Sequence, residues 1–489
     1  MQLKKSAVLC AAAFAAMAAG SANAAMTAAH QAVINDANTN NRVVFISGAS
    51  AVQKGFTAIV SELVNSPIRF ANTTASSKDF EGVAGTLKVA AGGWAAGSNV
   101  VIIYRTKGGS VWGVDPVARA DSTTQSLNVT SATCGTEGSG TASLPYTCTT
   151  NTRTPDAGVS DVAPKYFKNP YNTEGETAAA ELSAAELARF TGNGRIAPLY
   201  GLAFGIPATN SLGDVNLTRA KVAAIFGGNV SNWSEVDETG VESGPIVVCR
   251  RVPGSGTQAT YNMWAGNFPC GTFNTPADRT ASGAIYNNAT KTYTIPASLN
   301  QMVVIENSTS GDVRNCLDKA ETGGTYATKD RSGAAVNVNF QGSGYKAIGT
   351  LSLDSLSSSK TSGNWAFRTL DGAGKYYWDN TSGAVSTTGT GKFPTKEVYE
   401  NGDWDLQGWV TFNIPARTHS SSGALAGNKR ALLDQFVLKA QNPAVLSALA
   451  DLKNVAMGIP GGDYEGDQVL DAEYVGGDQC GPFVRIYPD

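Results

Sequence analysis

Four short turns rich in glycine, serine, threonine or aspartate could bind an anion, and three of them follow a stretch apolar enough to be a buried strand. They lie at 47–50, 107–110, 156–161 and 254–257. The first turn of a helix offers N–H groups without intrahelical partners, glycine lets an anion approach the backbone, and a hydroxyl adds a donor. A Ser or Thr here commonly serves only as an N-cap, so the prediction depends on several of them converging. The candidates are Ser50, Ser110, Ser255, Gly256 and Thr257.

Two charged residues could complete such a site. Arg251 lies at the end of a strand, where its guanidinium could bind two oxygens of an oxyanion; the alternative is a surface or ion-paired arginine. An ionised Asp161 can only accept hydrogen bonds, so it would favour a protonated phosphate over fully ionised sulfate. The alternative role of Asp161 is that of a helix N-cap before 162–164.

These turns need strands and helices that bring them to one edge of a sheet. The sequence predicts strands at 42–46, 99–104, 201–206 and 245–249 and helices at 217–226 and 432–455. A further helix should follow the first turn, because Val52, Phe56, Ile59 and Leu63 recur at helical spacing. Alternating strands and helices indicate an α/β fold with parallel sheets, in which ligands bind outside the carboxyl ends of the strands.

Three segments interrupt this alternation and are predicted to be insertions. They lie at 115–155, 271–300 and 358–400. The last is rich in Ser, Thr, Gly and Asn and carries Trp365, Tyr376, Tyr377 and Trp378, which favours hairpins or loops over core.

The composition excludes several classes of function. The 489 residues include 37 Lys and Arg against 40 Asp and Glu, so nothing favours a nucleic-acid partner. The two histidines, His30 and His419, are far apart in the sequence, which disfavours a histidine-built metal site. A phosphomonoester hydrolase would need a base beside Ser255, and no histidine lies near it in the sequence. We therefore expect no metal, no cofactor and no enzymatic activity.

The N-terminus has the features of a secretory signal peptide at 1–24. Lys4 and Lys5 precede a short apolar run at 7–19, and small residues end in Ala22-Asn-Ala24. The run is shorter than the about 20 apolar residues of a transmembrane helix, so we expect cleavage after Ala24 and a periplasmic or extracellular product.

Cleavage would leave six cysteines, an even number in an oxidising compartment. Sequence proximity predicts the disulfides Cys134–Cys148 and Cys249–Cys270, which leaves Cys316 to pair with Cys480. A metal site is the alternative, but no Cys-x-x-Cys spacing occurs.

Taken together, these segments resemble the periplasmic phosphate-binding proteins of the phosphate ABC transporter, within the type 2 periplasmic binding protein superfamily. The segments that carry the resemblance are Ser47-Gly-Ala-Ser-Ala51, Asp156-Ala-Gly-Val-Ser-Asp-Val-Ala-Pro164, Ala224-Ile-Phe-Gly-Gly-Asn-Val-Ser-Asn-Trp233, Arg251-Val-Pro-Gly-Ser-Gly-Thr257 and Tyr345-Lys-Ala-Ile-Gly-Thr-Leu-Ser-Leu353. The C-terminal third of the chain matches weakly.

The resemblance implies a two-lobed fold, each lobe a mixed sheet flanked by helices. Lobe I would comprise 25–205 and 350–489, with insertions near 115–155 and 358–400, and lobe II would comprise 206–349. The chain would be a monomer that binds inorganic phosphate, or a related protonated oxyanion, between the lobes and delivers it to a membrane permease.

The resemblance also assigns roles to individual residues. Ser50 and Ala51 would bind phosphate from the first turn, Ser110 from the second, and Asp161 would accept the phosphate proton. The opposite lobe would contribute Arg251, Ser255, Gly256 and Thr257. Pro253 replaces an Asp that orients the arginine in the family, so Arg251 would be less firmly fixed here. Ala51 replaces an aromatic residue without removing a backbone donor.

One alternative belongs to another class of function. The insertions and their aromatic residues could indicate a secreted or surface-associated protein that uses this fold for adhesion or matrix interaction. Such a role should depend on 358–400, whereas phosphate binding should not.

Overall fold

The computed structural model describes residues 26–485, apart from positions 49, 51–52, 75–77, 136, 174–179, 214, 272–282, 371–375, 380–383, 387–391, 394–403, 450–455, 459–469, 474–479 and 481–483. The predicted signal peptide at 1–24 and the predicted ligand residue Ala51 lie outside the described residues.

The described strands and helices alternate along much of the chain. The strands are β1 Val43–Gly48, β2 Val64–Ala71, β3 Phe80–Leu87, β4 Asn99–Arg105, β5 Gln125–Leu127, β6 Tyr146–Thr147, β7 Thr150–Thr152, β8 Ala157–Ser160, β9 Arg195–Gly205, β10 Pro207–Thr209, β11 Val247–Arg251, β12 Ile285–Asn287, β13 Thr292–Ile295, β14 Val303–Asn307, β15 Gly324–Lys329, β16 Ala335–Phe340, β17 Ala347–Gly349, β18 Leu351–Ser352, β19 Trp365–Phe367, β20 Tyr376–Asp379, β21 Ala384–Ser386, β22 Lys392–Phe393, β23 Gln407–Ile414, β24 Ala456–Gly458, β25 Leu470–Glu473 and β26 Val484–Arg485. The helices are α1 Ala28–Thr39, α2 Gln53–Ser61, α3 Asp115–Arg119, α4 Ala184–Leu187, α5 Arg219–Phe226, α6 Gly256–Gly266, α7 Ser310–Thr322, α8 Leu356–Ser362, α9 Ala424–Gln441 and α10 Pro443–Ser447.

The strands predicted from the sequence are confirmed, as are the helices after the first turn and at 217–226. The predicted C-terminal helix at 432–455 is wrong in its bounds, because α9 begins at Ala424 and ends at Gln441, where Asn442 caps the separate short helix α10. Pro443 explains the break, since its ring lacks the N–H that a continuous helix would use.

Twelve strands form the first sheet, in the order β26-β25-β24-β9-β23-β8-β1-β4-β3-β2-β6, with β18 paired to β9. Strands β4 and β8 flank β1 in parallel, so the turns that follow these three strands meet at one edge. Strand β23 is antiparallel to both β8 and β9, which makes the sheet mixed.

Helices α2 and α9 support the first sheet on one face. Phe56 of α2 stacks on Tyr104 of β4 with a ring-centroid distance of 4.6 Å. Phe436 of α9 packs against Phe412 of β23 at 5.3 Å. These contacts hold the strand ends that carry the first two turns.

The second sheet has the order β14-β11-β17-β10-β19. Strand β11 lies between β14 and β17 and is parallel to both. The chain passes from the first sheet to the second between β9 and β10, at Ile206, and returns between β17 and β18, at Thr350. The chain then crosses once more to β19 of the second sheet and returns to β23 of the first. The lobe boundaries at 206 and 350 stay a prediction.

The segment 358–400 is not wholly an insertion of hairpins and loops in lobe I. Its strand β19 pairs with β10 of the second sheet, and Trp365 is completely buried there. The expectation that Trp365 punctuates a surface loop is wrong, because it fills the edge of the second sheet next to Phe367. Strands β20, β21 and β22 form a separate antiparallel sheet, as hairpins would.

A four-stranded sheet of order β12-β13-β16-β15 is attached to the second lobe. Strands β12 and β13 form a hairpin within the segment 271–300 that the sequence marks as inserted. Its other two strands directly follow α7, so the insertion is joined to an element of the second lobe.

The disulfides confirm one predicted pair and correct the other two. Cys134 bonds to Cys148 as predicted. The predicted pairs Cys249–Cys270 and Cys316–Cys480 are wrong, because the bonds are Cys249–Cys316 and Cys270–Cys480. Helix α7 packs on β11 and brings buried Cys316 to buried Cys249, a proximity in space that sequence separation does not show.

Replacing both Cys249 and Cys316 by Ala should lower the free energy of unfolding. The disulfide closes a loop of 67 residues, for which the chain-entropy relation gives roughly 4 kcal/mol. Removing Cys134–Cys148, with a sequence separation of 14, should cost about 3 kcal/mol. Denaturant titration of the two double variants measures both effects, and an unchanged stability of Cys249→Ala/Cys316→Ala would contradict the pairing.

Candidate functional site

A cavity of about 40 Å³ lies between the two lobes. A cavity that holds a single water has a volume of about 10–15 Å³, so this space suits a ligand of a few heavy atoms. The first lobe lines it with Ser50, Gln53, Lys78, Asp79 and Thr106. The second lobe contributes Thr257, Thr309, Ser310, Gly311 and Arg314, and the chain returning to the first sheet contributes Ser352, Asp354 and Ser355.

The first lobe brings three of its turns to the cleft because β1, β4 and β8 are parallel neighbours. Ser50 follows β1 and lines the cavity. Ser110 opens the short 3-10 helix Ser110–Gly113 and is buried. Asp161 follows β8 directly and is 4% exposed. These strand ends converge at the carboxyl edge of the sheet as predicted, but the predicted turn at 156–161 is wrong, because Ala157–Ser160 form β8 and Asp161 follows it.

The second lobe brings the start of α6 to the same cleft. Ser255 is the N-cap of α6, and its hydroxyl accepts a hydrogen bond from Gln258 N at 3.4 Å. Its hydroxyl therefore has the capping role that the sequence offered as the simpler alternative. Gly256 and Thr257 form the first turn and are buried against the first lobe.

The lobes touch directly at this point. Thr257 Oγ1 donates to Asp161 Oδ2 at 2.9 Å. Ser110 Oγ accepts from the Asp161 backbone N–H at 3.2 Å. A Cβ at Gly256 would lie 2.3 Å from Ser110 Oγ, so only glycine permits this approach. The interlobe contact is therefore built from predicted site residues on both sides.

Burial raises the pKa of Asp161 to about 6. The hydroxyl of Thr257 and the charge of Arg251 act in the opposite direction, while the carboxylate of Asp354 raises the pKa further. The N-cap interpretation of Asp161 is wrong, because the short 3-10 helix Pro164–Tyr166 is preceded by Ala163 in that position. Asp161 is thus an ionisable acceptor held in a dry interlobe contact.

Arg251 is buried, which contradicts the surface interpretation of this residue. Its Nη1 donates to Ser310 Oγ at 2.9 Å and its Nη2 to the Ser308 carbonyl at 2.7 Å. Its backbone N–H donates to Gln258 Oε1 at 3.2 Å. These contacts fix the guanidinium against the start of α7, so Pro253 does not leave Arg251 unoriented.

Several cavity residues were missed by the sequence analysis. Ser310 lies at the start of α7, and its hydroxyl is 3.4 Å from Ser50 Oγ in the opposite lobe. The sequence carries a signal for Ser310, because Ser-Gly-Asp at 310–312 resembles the other glycine- and serine-rich segments that mark the start of a helix. Arg314 follows one turn later in α7. Asp354 comes directly after the 345–353 segment that carries the family resemblance, but no spacing marks it as a site residue.

The structure therefore brings together all the predicted site residues that it describes. They are Ser50, Ser110, Asp161, Arg251, Ser255, Gly256 and Thr257. Their roles as ligand contacts stay predictions. Among the described residues, no group of three or more His, Cys, Asp or Glu side chains is placed to hold a metal. Within the same ranges, no helix combines the length and apolar composition needed to cross a bilayer.

Residues 177–392 match the family model of the PBP superfamily domain. Two sheets joined by chain crossings give the chain a two-lobed mixed α/β fold, and the matching segment contains all five strands of the second sheet. The fold implied by the sequence resemblance is confirmed. No curated protein matches the sequence.

Solved structures match the chain at low sequence identity. A phosphate ABC transporter substrate-binding protein from Clostridium perfringens, described as putative and with bound phosphate, is 12% identical with a TM-score of 0.40, over 83% of this chain and 97% of that one. PstS from Borrelia burgdorferi is 10% identical with a TM-score of 0.34, over 86% and 100%. A phosphate-binding protein from Stenotrophomonas maltophilia is 14% identical with a TM-score of 0.36, over 76% and 78%.

Replacing Asp161 by Asn should stabilise the ligand-free protein in alkaline solution. A carboxyl whose pKa rises on folding from 3.8 to about 6 stabilises the fold in acid, and this contribution is lost as the pH rises through about 6. The shift of about two units corresponds to about 3 kcal/mol at most. Asn keeps an acceptor for the Thr257 hydroxyl and carries no charge.

Urea unfolding at about pH 4 and about pH 8 measures this effect. Asp115→Asn is the matched control, because burial raises the pKa of Asp115 to about 7. Both variants should gain stability over the wild type only at the higher pH. A loss of stability in Asp161→Asn at about pH 8 would show that the ionised carboxylate is required by the fold.

Proposed function

We propose that this chain, which has the fold of the PBP superfamily, is an exported solute-binding protein that captures inorganic phosphate between its lobes. It acts after removal of 1–24, as a monomer in the periplasm or outside the cell, and passes its ligand to an ABC permease in the membrane. It binds its ligand without transforming it. The observation that carries the proposal is the interlobe contact of Asp161 with Thr257 beside the cavity.

The charges and dipoles around the cavity favour a small anion. The first turns of α6 and α7 both reach it, through Thr257 and through Ser310 and Gly311. The start of a helix carries a partial positive charge. Arg314 lines the cavity directly, and Arg251 lies behind Ser310. Neutral hydroxyls and buried cations stabilise an oxyanion here without any excess of positive charge on the whole protein.

Asp161 supports a protonated ligand. A buried carboxylate can accept a hydrogen bond from a P–O–H group, whereas sulfate has no proton to donate. An unprotonated oxygen placed beside Asp161 would face a like charge in a dry site, where such repulsion is strongest. The site is therefore suited to phosphate or arsenate and unsuited to sulfate.

Both histidines lie away from the cleft, which supports binding over hydrolysis. His30 contacts Tyr146 in the first lobe. His419 caps the short 3-10 helix Ser420–Ser422. The Ser255 hydroxyl is engaged with the α6 backbone. The adhesion alternative is not favoured, because Trp365, one of the aromatic residues that suggested it, lies in the core of the second lobe.

Calorimetric titration of the protein lacking 1–24 tests the proposal. Phosphate should bind with a micromolar or lower Kd, and sulfate should give no heat of binding. Asp161→Asn should weaken phosphate binding about tenfold to a hundredfold, the usual effect of losing a hydrogen bond to a charged group. Asp115→Asn should leave it unchanged, since Asp115 pairs with Arg119 outside the cavity. Absence of heat with both anions would refute the proposal.

Replacing Gly256 by Ala should hold the lobes apart. The added methyl would meet Ser110 Oγ at 2.3 Å and Asp161 Cβ at 2.7 Å, distances that force the contact to open. Small-angle scattering in saturating phosphate should show a larger radius of gyration than for the wild type. Gly311→Ala is the control at the start of α7, because its nearest neighbour is 3.3 Å away. An equally compact Gly256→Ala would mean that closure does not depend on this contact.

A further inference from the structure

A second buried carboxylate, Asp354, lies on the wall of the same cavity. It follows β18, where the chain returns from the second sheet to the first, and it is 6% exposed. Its Oδ1 accepts hydrogen bonds from Ser352 Oγ at 2.5 Å and from Ser355 Oγ at 3.5 Å. These hydroxyls orient the carboxylate at the cavity wall.

Asp354 and Asp161 approach the cavity from different elements. Thr257 lines the cavity and its hydroxyl donates to Asp161, so Asp161 lies directly behind the Thr257 side chain. Asp354 lines the cavity itself. The two carboxylates interact with each other and with Tyr200, whose pKa is raised by burial and by both charges. Asp354 therefore lies on the cavity wall, and Asp161 lies one side chain behind it, at Thr257.

The other charged groups around Asp354 are mixed in sign. Arg314 of α7 donates from Nη1 to Ser355 Oγ at 3.4 Å. Lys78 and Asp79 line the cavity from the first lobe, and Asp79 is paired with Lys107 at 3.5 Å. Arg251 approaches from the second lobe through Ser310. Cations and carboxylates thus both border the cavity: Asp79 and Asp354 lie on its wall, and Asp161 lies behind Thr257.

We propose that Asp354 is a second proton acceptor for the ligand, so that the site selects dihydrogen phosphate over monohydrogen phosphate. This inference rests on the proposed function. Dihydrogen phosphate has two P–O–H donors, one for each carboxylate, and two further oxygens for the helix starts and the arginines. Monohydrogen phosphate has only one donor, so one carboxylate would face a charged oxygen in a dry site.

The affinity of the wild type for total phosphate should therefore fall as the pH rises past neutrality. Calorimetry at about pH 6.5 and about pH 8.5 should show a loss of about tenfold or more, as the dihydrogen form becomes scarce. Titrations in buffers of different ionisation enthalpy should show uptake of about one proton per phosphate at the higher pH.

Asp354→Asn tests the residue itself. The amide can donate to a charged phosphate oxygen, so this variant should lose less than about threefold between the two pH values and take up little proton. Asp115→Asn is the control, because it removes the same charge from a buried carboxyl that pairs with Arg119 outside the cavity. It should keep the pH dependence and the proton uptake of the wild type. Equal flattening in both variants would show an effect of net charge and would overturn the inference.

Methylphosphonate gives a second test that needs only the wild type. Its monoanion has one P–O–H group, so at about pH 6.5 it should bind at least about tenfold more weakly than phosphate. Equal binding of the two ligands, or equal phosphate affinity at both pH values, would overturn the role of Asp354 and leave phosphate capture standing. Absence of phosphate binding at both pH values would instead refute the proposed function.

Discussion

The burial of the Asp161 carboxylate between two lobes is the constraint on which the site depends. A carboxylate removed from water needs hydrogen bonds and nearby cations to remain ionised. Here the Thr257 hydroxyl reaches it from the opposite lobe, and the Arg251 charge favours its ionised form. The close approach also requires a glycine at 256. The buried Asp161 therefore restricts position 256, at the start of α6, to glycine.

The second lobe presents its cation as part of a rigid unit. Arg251 ends β11 and contacts the first residues of α7, while the disulfide Cys249–Cys316 joins the same strand and helix. The bond lies two residues before Arg251 on the strand, so it restrains the distance between the guanidinium and Ser310. Rigid placement limits the side-chain entropy lost when an anion binds.

Much of this arrangement could be predicted from the sequence, because strand–turn–helix patterns are local. The turns at Ser50, Ser110 and Asp161 could be placed at one sheet edge for that reason. The disulfide partner of Cys249 and the core position of Trp365 could not be predicted, since both depend on how distant segments pack. Asp354 could not be predicted for a similar reason. An aspartate after a short strand has no distinctive sequence pattern, and only the chain crossing places it at the cavity.

Under the proposed function, the protons of the ligand explain how two carboxylates can lie beside one anion-binding cavity. Burial and the charge of Asp354 both raise the pKa of Asp161, and Asp354 itself lies on the cavity wall. In the proposed complex, a protonated oxyanion donates to both carboxylates, and its remaining oxygens face the helix starts and the arginines. An unprotonated anion adds charge without adding a donor. In this proposal, contact between the lobes is coupled to the protonation state of the ligand. The cleft then recognises the ligand's protons more than its net charge.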